Sequence, residues 1–404
     1  MSDPNFKNGP LADLRVLELG TLLAGPFCGQ LLGDFGAEVI KIEPPGQGDP
    51  LRVWGRQEEG EPSLWWPVVA RNKKAITLDL RQAEGQAVLK ELVAKADFLV
   101  ENFRPGTLEK WGLGWAALAA INPRLIMIRV SGFGQTGPRA RDPGFGAIGE
   151  AMGGLRYVVG DPSTPPSRMG ISIGDSLAAT FACVGALSAL HYREKTGRGQ
   201  MVDSAIYEAV LNMMESLITE YDKRGFIRER TGAILPNIAP SNIYSTRDGM
   251  VLVAANQDTV FKRLCVAMGA PELATDPRYS THQARGTHQR ELDECIGAWT
   301  GGLTTTQVLE ILQRPDTAVP SGLIYRAPDM LADPHFKARE AIVTTQHPRF
   351  GELRMQNVAP KLSATPGSIR SPSPELGQHN DEVYLQLLEM STDRYAGLKA
   401  RKVV

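Results

Sequence analysis

Asp175 stands between Gly174 and Ser176 in the stretch GISIGDSLAATFACVGALSALHYREKTGRGQ (170–200), an acid at the mouth of a long apolar run. A carboxylate in that place has two uses. It can accept hydrogen bonds from the free N–H groups of a first helical turn, a cap worth about 1 kcal/mol. It can also act as a nucleophile, because those N–H groups and the helix dipole favour the ionised form and attract anions, against a reference pKa of about 3.9. The segment alone leaves both open, and capping is the commoner use of Asp at such a position.

The element that holds Asp175 is legible. Leu177, Phe181, Val184, Leu187 and Leu190 recur at helical spacing, and Ala178, Ala179, Ala182, Gly185 and Ala186 would let a neighbouring backbone come close. Arg193 and Lys195 followed by Gly197 and Gly199 mark its end. Other reactive side chains are scattered. Cys28, Cys183, Cys265 and Cys295 form no CxxC pair, so the spacing indicates neither a disulfide framework nor a zinc ribbon. The six histidines, with His282 and His288 the nearest pair, suggest no metal.

The 404 residues are 42% hydrophobic and 22% charged, enough for two or three domains with a large core. With 44 Lys and Arg against 45 Asp and Glu, and no long run of one sign, attraction to nucleic acid or to an anionic membrane is not expected. The N-terminus MSDPNFKNGPLADLR lacks the apolar core of a signal peptide, and no run of about 18 apolar residues is evident. These features predict a cytoplasmic protein.

Strands and helices alternate through the first half. Strands are expected at 14–20, 38–43, 75–80, 97–103 and 124–131, and helices at 25–37, 83–96, near 107–120, and over 176–194 and 204–222. This rhythm predicts an α/β fold with a mostly parallel sheet covered by helices, whose ligands bind beyond the carboxyl ends of the strands. The loops GTLLAGP, ENFRPG and SGFGQTGP emerge there. Residues 223–248 change texture, with Pro236 and Pro240, and precede GMVLVAAN (249–256). The expected organisation is a large domain over 1–200, a linker helix and loop over 201–230, a small α+β domain over 231–325, and a linker with a returning C-terminal part over 326–404. The last part carries LRMQNVAP (353–360) and a final helix from about 380.

Seven stretches together resemble the family III CoA-transferases, which include formyl-CoA transferase and carnitine CoA-transferase. They are VLELGTLLAGPFCGQLLGDFGAEVIKIEPPGQGDPLR (16–52), ARNKKAITLDL (70–80), FLVENFRPGTLEKWGL (98–113), SGFGQTGP (131–138), GDS (174–176), KTGRGQMVD (195–203) and LGQHNDEV (376–383). Their order and spacing make the resemblance specific and nearly end to end. It implies that Asp175 attacks a donor acyl-CoA thioester to give an aspartyl anhydride, which the freed thiolate converts to an aspartyl-CoA thioester before an acceptor carboxylate completes the exchange. It implies CoA contacts at Leu22, Leu23, Asn72, Lys73, Lys74, Asn102, Phe103 and Lys110. Lysines suit phosphates as point charges and Phe103 offers an apolar face. Without the resemblance the same residues read as a solvated strand edge, a core aromatic and a turn former. No permanently bound cofactor is implied; the CoA thioester and a small carboxylate are substrates. The resemblance also implies a Rossmann-like sheet in a large domain built from N- and C-terminal parts, and an interlocked homodimer.

Departures narrow the reading. Leu23 stands where formyl-CoA transferase has glutamine, Pro44 where it has an arginine that contacts CoA, and VAANQDTVF (253–261) where it has four glycines, which argues against oxalate. The related α-methylacyl-CoA racemases carry a His-Asp pair where Phe145 and Gly146 stand here. Racemisation needs an acid and a base on opposite faces of the α-carbon, so a racemase-like isomerase is the lesser alternative. A CoA-binding protein without chemistry is another, and the intact Asp175 and its flanking glycine argue against it. The stretch GAILPNIAPSNIYSTRDG resembles members that move CoA from succinyl-CoA to short dicarboxylates, with Arg228, Arg230 and Asn237 as candidate ligands for a distal carboxylate.

Overall fold

A computed structural model describes residues 9–56 and 63–404. Residues 1–8, on which the signal-peptide reading rests, lie outside them. The chain divides into two compact units: the described residues of Met1–Leu155 with Met169–Leu217 and Phe336–Val404, and a second of Arg156–Arg168 with Ile218–His335.

In the first unit, β1 (Arg15–Glu18), β2 (Glu38–Glu43), β3 (Lys73–Thr77), β4 (Phe98–Glu101), β5 (Ile126–Ser131) and β6 (Met201–Ala205) form one sheet in the order β3-β2-β1-β4-β5-β6. Every pairing is parallel. Strands covered on both faces need continuous apolar or satisfied side chains, which is why EVIKIE and IMIRVS are buried almost throughout. The helices of this unit are α1 (Ala24–Asp34), α2 (Trp65–Val69), α3 (Ala83–Val93), α4 (Thr107–Lys110), α5 (Trp115–Ile121), α6 (Gly146–Met152), α8 (Ile173–Thr196) and α9 (Ile206–Asn212), while α7 (Leu155–Val158) belongs from Arg156 onward to the second unit. The switch in strand order falls between β1 and β4, the crevice where such sheets bind ligands.

All six strands come from the first half, and the C-terminal part joins this unit by covering its edge. The Ala75 and Thr77 amides of edge strand β3 donate to His379 Nδ1 and Asn380 Oδ1, and Tyr384 donates to Thr77 O. An exposed edge invites pairing with another chain, and the returning segment removes that opportunity. The return is anchored by a buried clasp. Arg71 pairs with Asp34 at 2.6 Å; Asn72 donates to Asp34 Oδ1 and Ser368 O and accepts from the Arg370 and Ser371 amides.

The second unit contains an antiparallel sheet of β7 (Ser241–Ser245), β8 (Met250–Ala254) and β9 (Ser321–Leu323). Its core gathers Tyr244, Val251, Val253, Phe261, Leu264 and Ile296.

Several boundaries differ from expectation. The helix expected over 204–222 is the end of β6, then α9 and a separate helix Leu217–Arg224, with Glu215 in the left-handed region (φ 52°) between the last two. The expected 107–120 helix is the pair α4 and α5. By length and composition, α8 is apolar enough to cross a membrane, with mean hydropathy 1.5 over its best 18 residues, against the expectation of no such run. Its Ala178, Ala179, Ala182, Ala186 and Ala189 are buried inside the first unit, so one face is committed to the fold.

Asp34→Asn is expected to lower stability by about 3–5 kcal/mol, because it leaves the buried Arg71 guanidinium without its counter-charge. Urea unfolding monitored by circular dichroism checks this.

Candidate active site

Asp175 is the third residue of α8. The N-cap position belongs to Ser172, whose side chain makes no cap hydrogen bond. Asp175 is therefore not at the cap position itself but in the first turn, where the helix dipole favours negative charge. Its half-buried carboxylate rests on Gly146, the first residue of α6. A Cβ at Gly146 would lie 2.3 Å from Asp175 Oδ2 and 2.8 Å from its Cγ. Only glycine leaves the carboxylate in this place. Beneath it, Gly174 N donates to the buried Glu150 carboxylate at 3.4 Å. A Cβ on Gly174 would approach Glu150 Cγ, Gly146 O and Ile206, each within 3.1 Å. The helix start is thus wedged between α6 and α9, which fixes the direction in which Asp175 projects.

At the crevice between β1 and β4, Asn102 bonds both ways to Thr21, accepting from its N at 2.7 Å and donating to its O at 2.9 Å. This joins the two loops that carry Leu22, Leu23, Asn102 and Phe103. Leu22 lies in the left-handed region (φ 64°), unusual for a non-glycine residue, and its N–H donates to Asp49 Oδ1. Phe103 is half-buried and packs edge-to-face on Trp111 at 5.7 Å. Lys110 is exposed at the rim of a cavity of about 1140 Å³ beyond β4 and β5. Arg104, Arg129, Arg141, Gly106 and Trp115 also line it. Arg129 is held between Glu101 and Glu109, at 2.6 Å from each. Burial pushes the Glu101 carboxyl up, and Arg129 opposes that shift.

Two of the expected contact residues have side chains engaged within the protein. Asn72, also left-handed (φ 61°), spends both ends of its amide on the 368–371 clasp, so its side chain is not presented to a ligand. Lys73 is buried, pairs with Glu18 at 2.7 Å and donates to Pro26 O, so it is neither a solvated edge nor an accessible phosphate ligand. Burial pulls its ammonium below the usual lysine range, and Glu18 opposes this. Lys74 is partly exposed but shared between Glu38 at 2.5 Å and Glu382 at 2.6 Å. In the second unit, Arg228 pairs with Glu220 at 3.2 Å, Arg230 donates to Tyr157 O, and Asn237 is left-handed (φ 62°). The sequence reading missed Asp49 and Gly146 as site-forming residues. The turn-rich GQGDP around Asp49 was the available signal, since Asp before Pro favours a turn. No group of three or more His, Cys, Asp or Glu side chains able to hold a metal occurs among the described residues.

A doubly wound parallel sheet with a switch point between β1 and β4, and a cavity lined by Arg104, Lys110 and Arg141 beyond its carboxyl edge, has the architecture that binds ligands at strand ends. The chain belongs to CoA-transferase family III, whose family model matches residues 11–380. It is 61% identical over 396 residues to a succinyl-CoA–D-citramalate CoA-transferase of Chloroflexus aurantiacus, covering 98% of each chain. A succinyl-CoA–L-malate CoA-transferase beta subunit of the same organism is 43% identical, again over 98% of each. The crystal structure of a CaiB/BaiF family protein from Brucella suis superposes with a TM-score of 0.82 at 35% identity, covering 94% of this chain and all of that one.

Gly146→Ala is expected to turn the Asp175 carboxylate aside and lower kcat for CoA transfer about 100-fold, the scale of a ~1 Å misplacement of a reacting group. Steady-state kinetics alongside thermal unfolding check this; the unfolding midpoint should move little.

Proposed function

We propose that this enzyme moves CoA from succinyl-CoA to a short dicarboxylate of the citramalate type, with Asp175 as covalent nucleophile. The observation that carries the substrate reading is the 61% identity, over 98% of both chains, to a transferase named for succinyl-CoA and D-citramalate. The nucleophile reading rests on the placement of Asp175 in the first turn of α8, against the one residue type that leaves it room.

In this reading an Asp175 oxygen attacks the thioester carbonyl carbon, the C–S bond breaks and CoA leaves as thiolate. The thiolate then attacks the Asp175 carbonyl of the mixed anhydride, releasing succinate and leaving an aspartyl-CoA thioester. The acceptor carboxylate attacks that thioester and expels the thiolate. The thiolate finally takes the acceptor's acyl group and restores Asp175. Each step exchanges one acyl bond for another, and no proton or electron is gained or lost. Leu22, Leu23, Asn102 and Phe103 hold the CoA chain in the β1–β4 crevice. Lys110, exposed at the rim of the cavity beyond β4 and β5, supplies charge toward its phosphates.

Incubation with succinyl-CoA and a panel of acids, followed by liquid chromatography of the CoA esters, is expected to yield citramalyl-CoA most rapidly. Turnover with carnitine or aromatic acids and with no dicarboxylate would sink the substrate assignment. Mass spectrometry should find a hydroxylamine-sensitive adduct on Asp175, and Asp175→Ala should abolish exchange; undiminished exchange removes the nucleophile.

The assembly we propose is a cytoplasmic homodimer. Phe181, Val184 and Leu187 on α8 are exposed in the single chain, opposite its buried alanines. A second copy is the occupant that fits a face the fold itself leaves apolar. Light scattering should give twice the 43.9 kDa chain mass. Val184→Glu with Leu187→Glu should shift it toward that of one chain.

A further inference from the structure

Beneath the Gly20–Leu23 loop lies a buried set of charges that the reaction does not use. Glu18, Lys41, Asp49 and Lys73 are each at most 3% exposed. Glu18, at the end of β1, lies 2.7 Å from the Lys73 ammonium and 3.3 Å from that of Lys41. Lys41 also pairs with Asp49 at 2.6 Å. Asp49 N donates to Glu43 Oε2, and Glu43 is gripped through two bonds by Arg52. Three cations and three anions balance. On α1, a Cβ at Gly29 would lie 1.8 Å from Glu18 Oε2, so the helix gives up a side chain to admit this carboxylate.

Desolvating each of these ions costs several kcal/mol, which pairing repays only where the geometry is good, so stability is weak grounds for such a cluster. Its outward bonds show where it acts. Lys41 donates to Gly20 O, Asp49 Oδ1 accepts from Leu22 N at 3.0 Å and from Leu51 N at 2.8 Å, and Lys73 donates to Pro26 O at 2.7 Å. Every contact outside the cluster named here, apart from that to Leu51, holds the backbone between β1 and the first turn of α1. That backbone includes Leu22 in its left-handed conformation, which costs about 1–3 kcal/mol and persists only where the surroundings over-determine it. Burial pushes the Asp49 carboxyl up, but the Lys41 charge and the hydrogen bonds from Lys41, Leu22 and Leu51 hold it below the usual range, as an anion.

We propose that the Lys41–Asp49 pair is a positioning device that sets the Gly20–Leu23 loop in its acyl-CoA-binding shape before the ligand arrives. This rests on the reading that Leu22 and Leu23 meet the CoA chain. Pre-organisation removes the ordering cost from binding, so its loss appears in affinity for the CoA ester more than in the chemical step.

The test compares Asp49→Asn with Asp34→Asn, which breaks a buried pair at the opposite end of α1 from this loop. Asp49→Asn is expected to raise KM for succinyl-CoA about tenfold with kcat within about twofold, whereas Asp34→Asn at a comparable loss of thermal midpoint leaves KM unchanged. Leu22→Gly should raise KM similarly, and the double variant Asp49→Asn/Leu22→Gly no further than either single one. If KM responds to Leu22→Gly but moves equally in Asp49→Asn and Asp34→Asn, the positioning role is overturned while the contact reading stands. If Leu22→Gly leaves KM unchanged, both are overturned. A measurement on the unaltered enzyme needs no folded variant: hydrogen exchange of the peptide spanning 19–24 should already be slow without CoA. Fast exchange that slows only when CoA is added would show the ligand ordering the loop, and would overturn the proposal.

Discussion

The large unit depends on one buried clasp, in which Asp34, Arg71 and Asn72 seize the chain at 368–371. A parallel sheet must be covered on both faces and cannot leave a long edge bare. Here the edge strand β3 lies beside the clasp and is closed by a segment that returns after a whole second unit has been built. An Asn in the left-handed region suits this duty. Its backbone turns sharply into β3, and its amide faces two donors and two acceptors at once.

Economy of side-chain bulk shapes the candidate site around Asp175. Helix α8 lies close to its neighbours because its buried face is alanine, and its start is wedged by Gly174 beside Glu150 and Ile206. Asp175 then projects over Gly146, a residue whose lack of a side chain sets the carboxylate's position as firmly as a hydrogen bond would. Where a racemase of this fold places an acid–base pair, this chain has an exposed Phe145 and a glycine serving as a seat.

Much of the fold was legible in sequence because it rests on local pattern. EVIKIE matches its strand from end to end, and the small-and-large alternation of α8 told its faces apart. Errors fell where the determinants are not local. β6 went unassigned over Met201–Asp203 and its last two residues fell in the helix expected from 204, because MVDSA has no alternation of its own and is a strand by virtue of pairing with β5. Lys73 read as solvated because Glu18, its partner, lies on another strand. Asn72 read as a ligand contact because the groups that occupy its amide lie nearly 300 positions later. Asp175 itself could be placed within a turn of its true position, but the role of Gly146 depends on an approach between helices that no spacing in the chain reveals.

The out-and-back course of the chain also sets a timetable for its synthesis. Thr77 waits for Asn380, 303 positions later, to complete the bonds along β3. At about 5–20 residues per second, the ribosome needs roughly 15–60 s to supply that partner. Through that interval the nascent sheet carries an unclosed edge and Arg71 lacks the Gln356 carbonyl it later grips. The small unit is translated during the same interval. Each newly made chain therefore passes through an interval in which the edge of β3 is open to pairing with another strand.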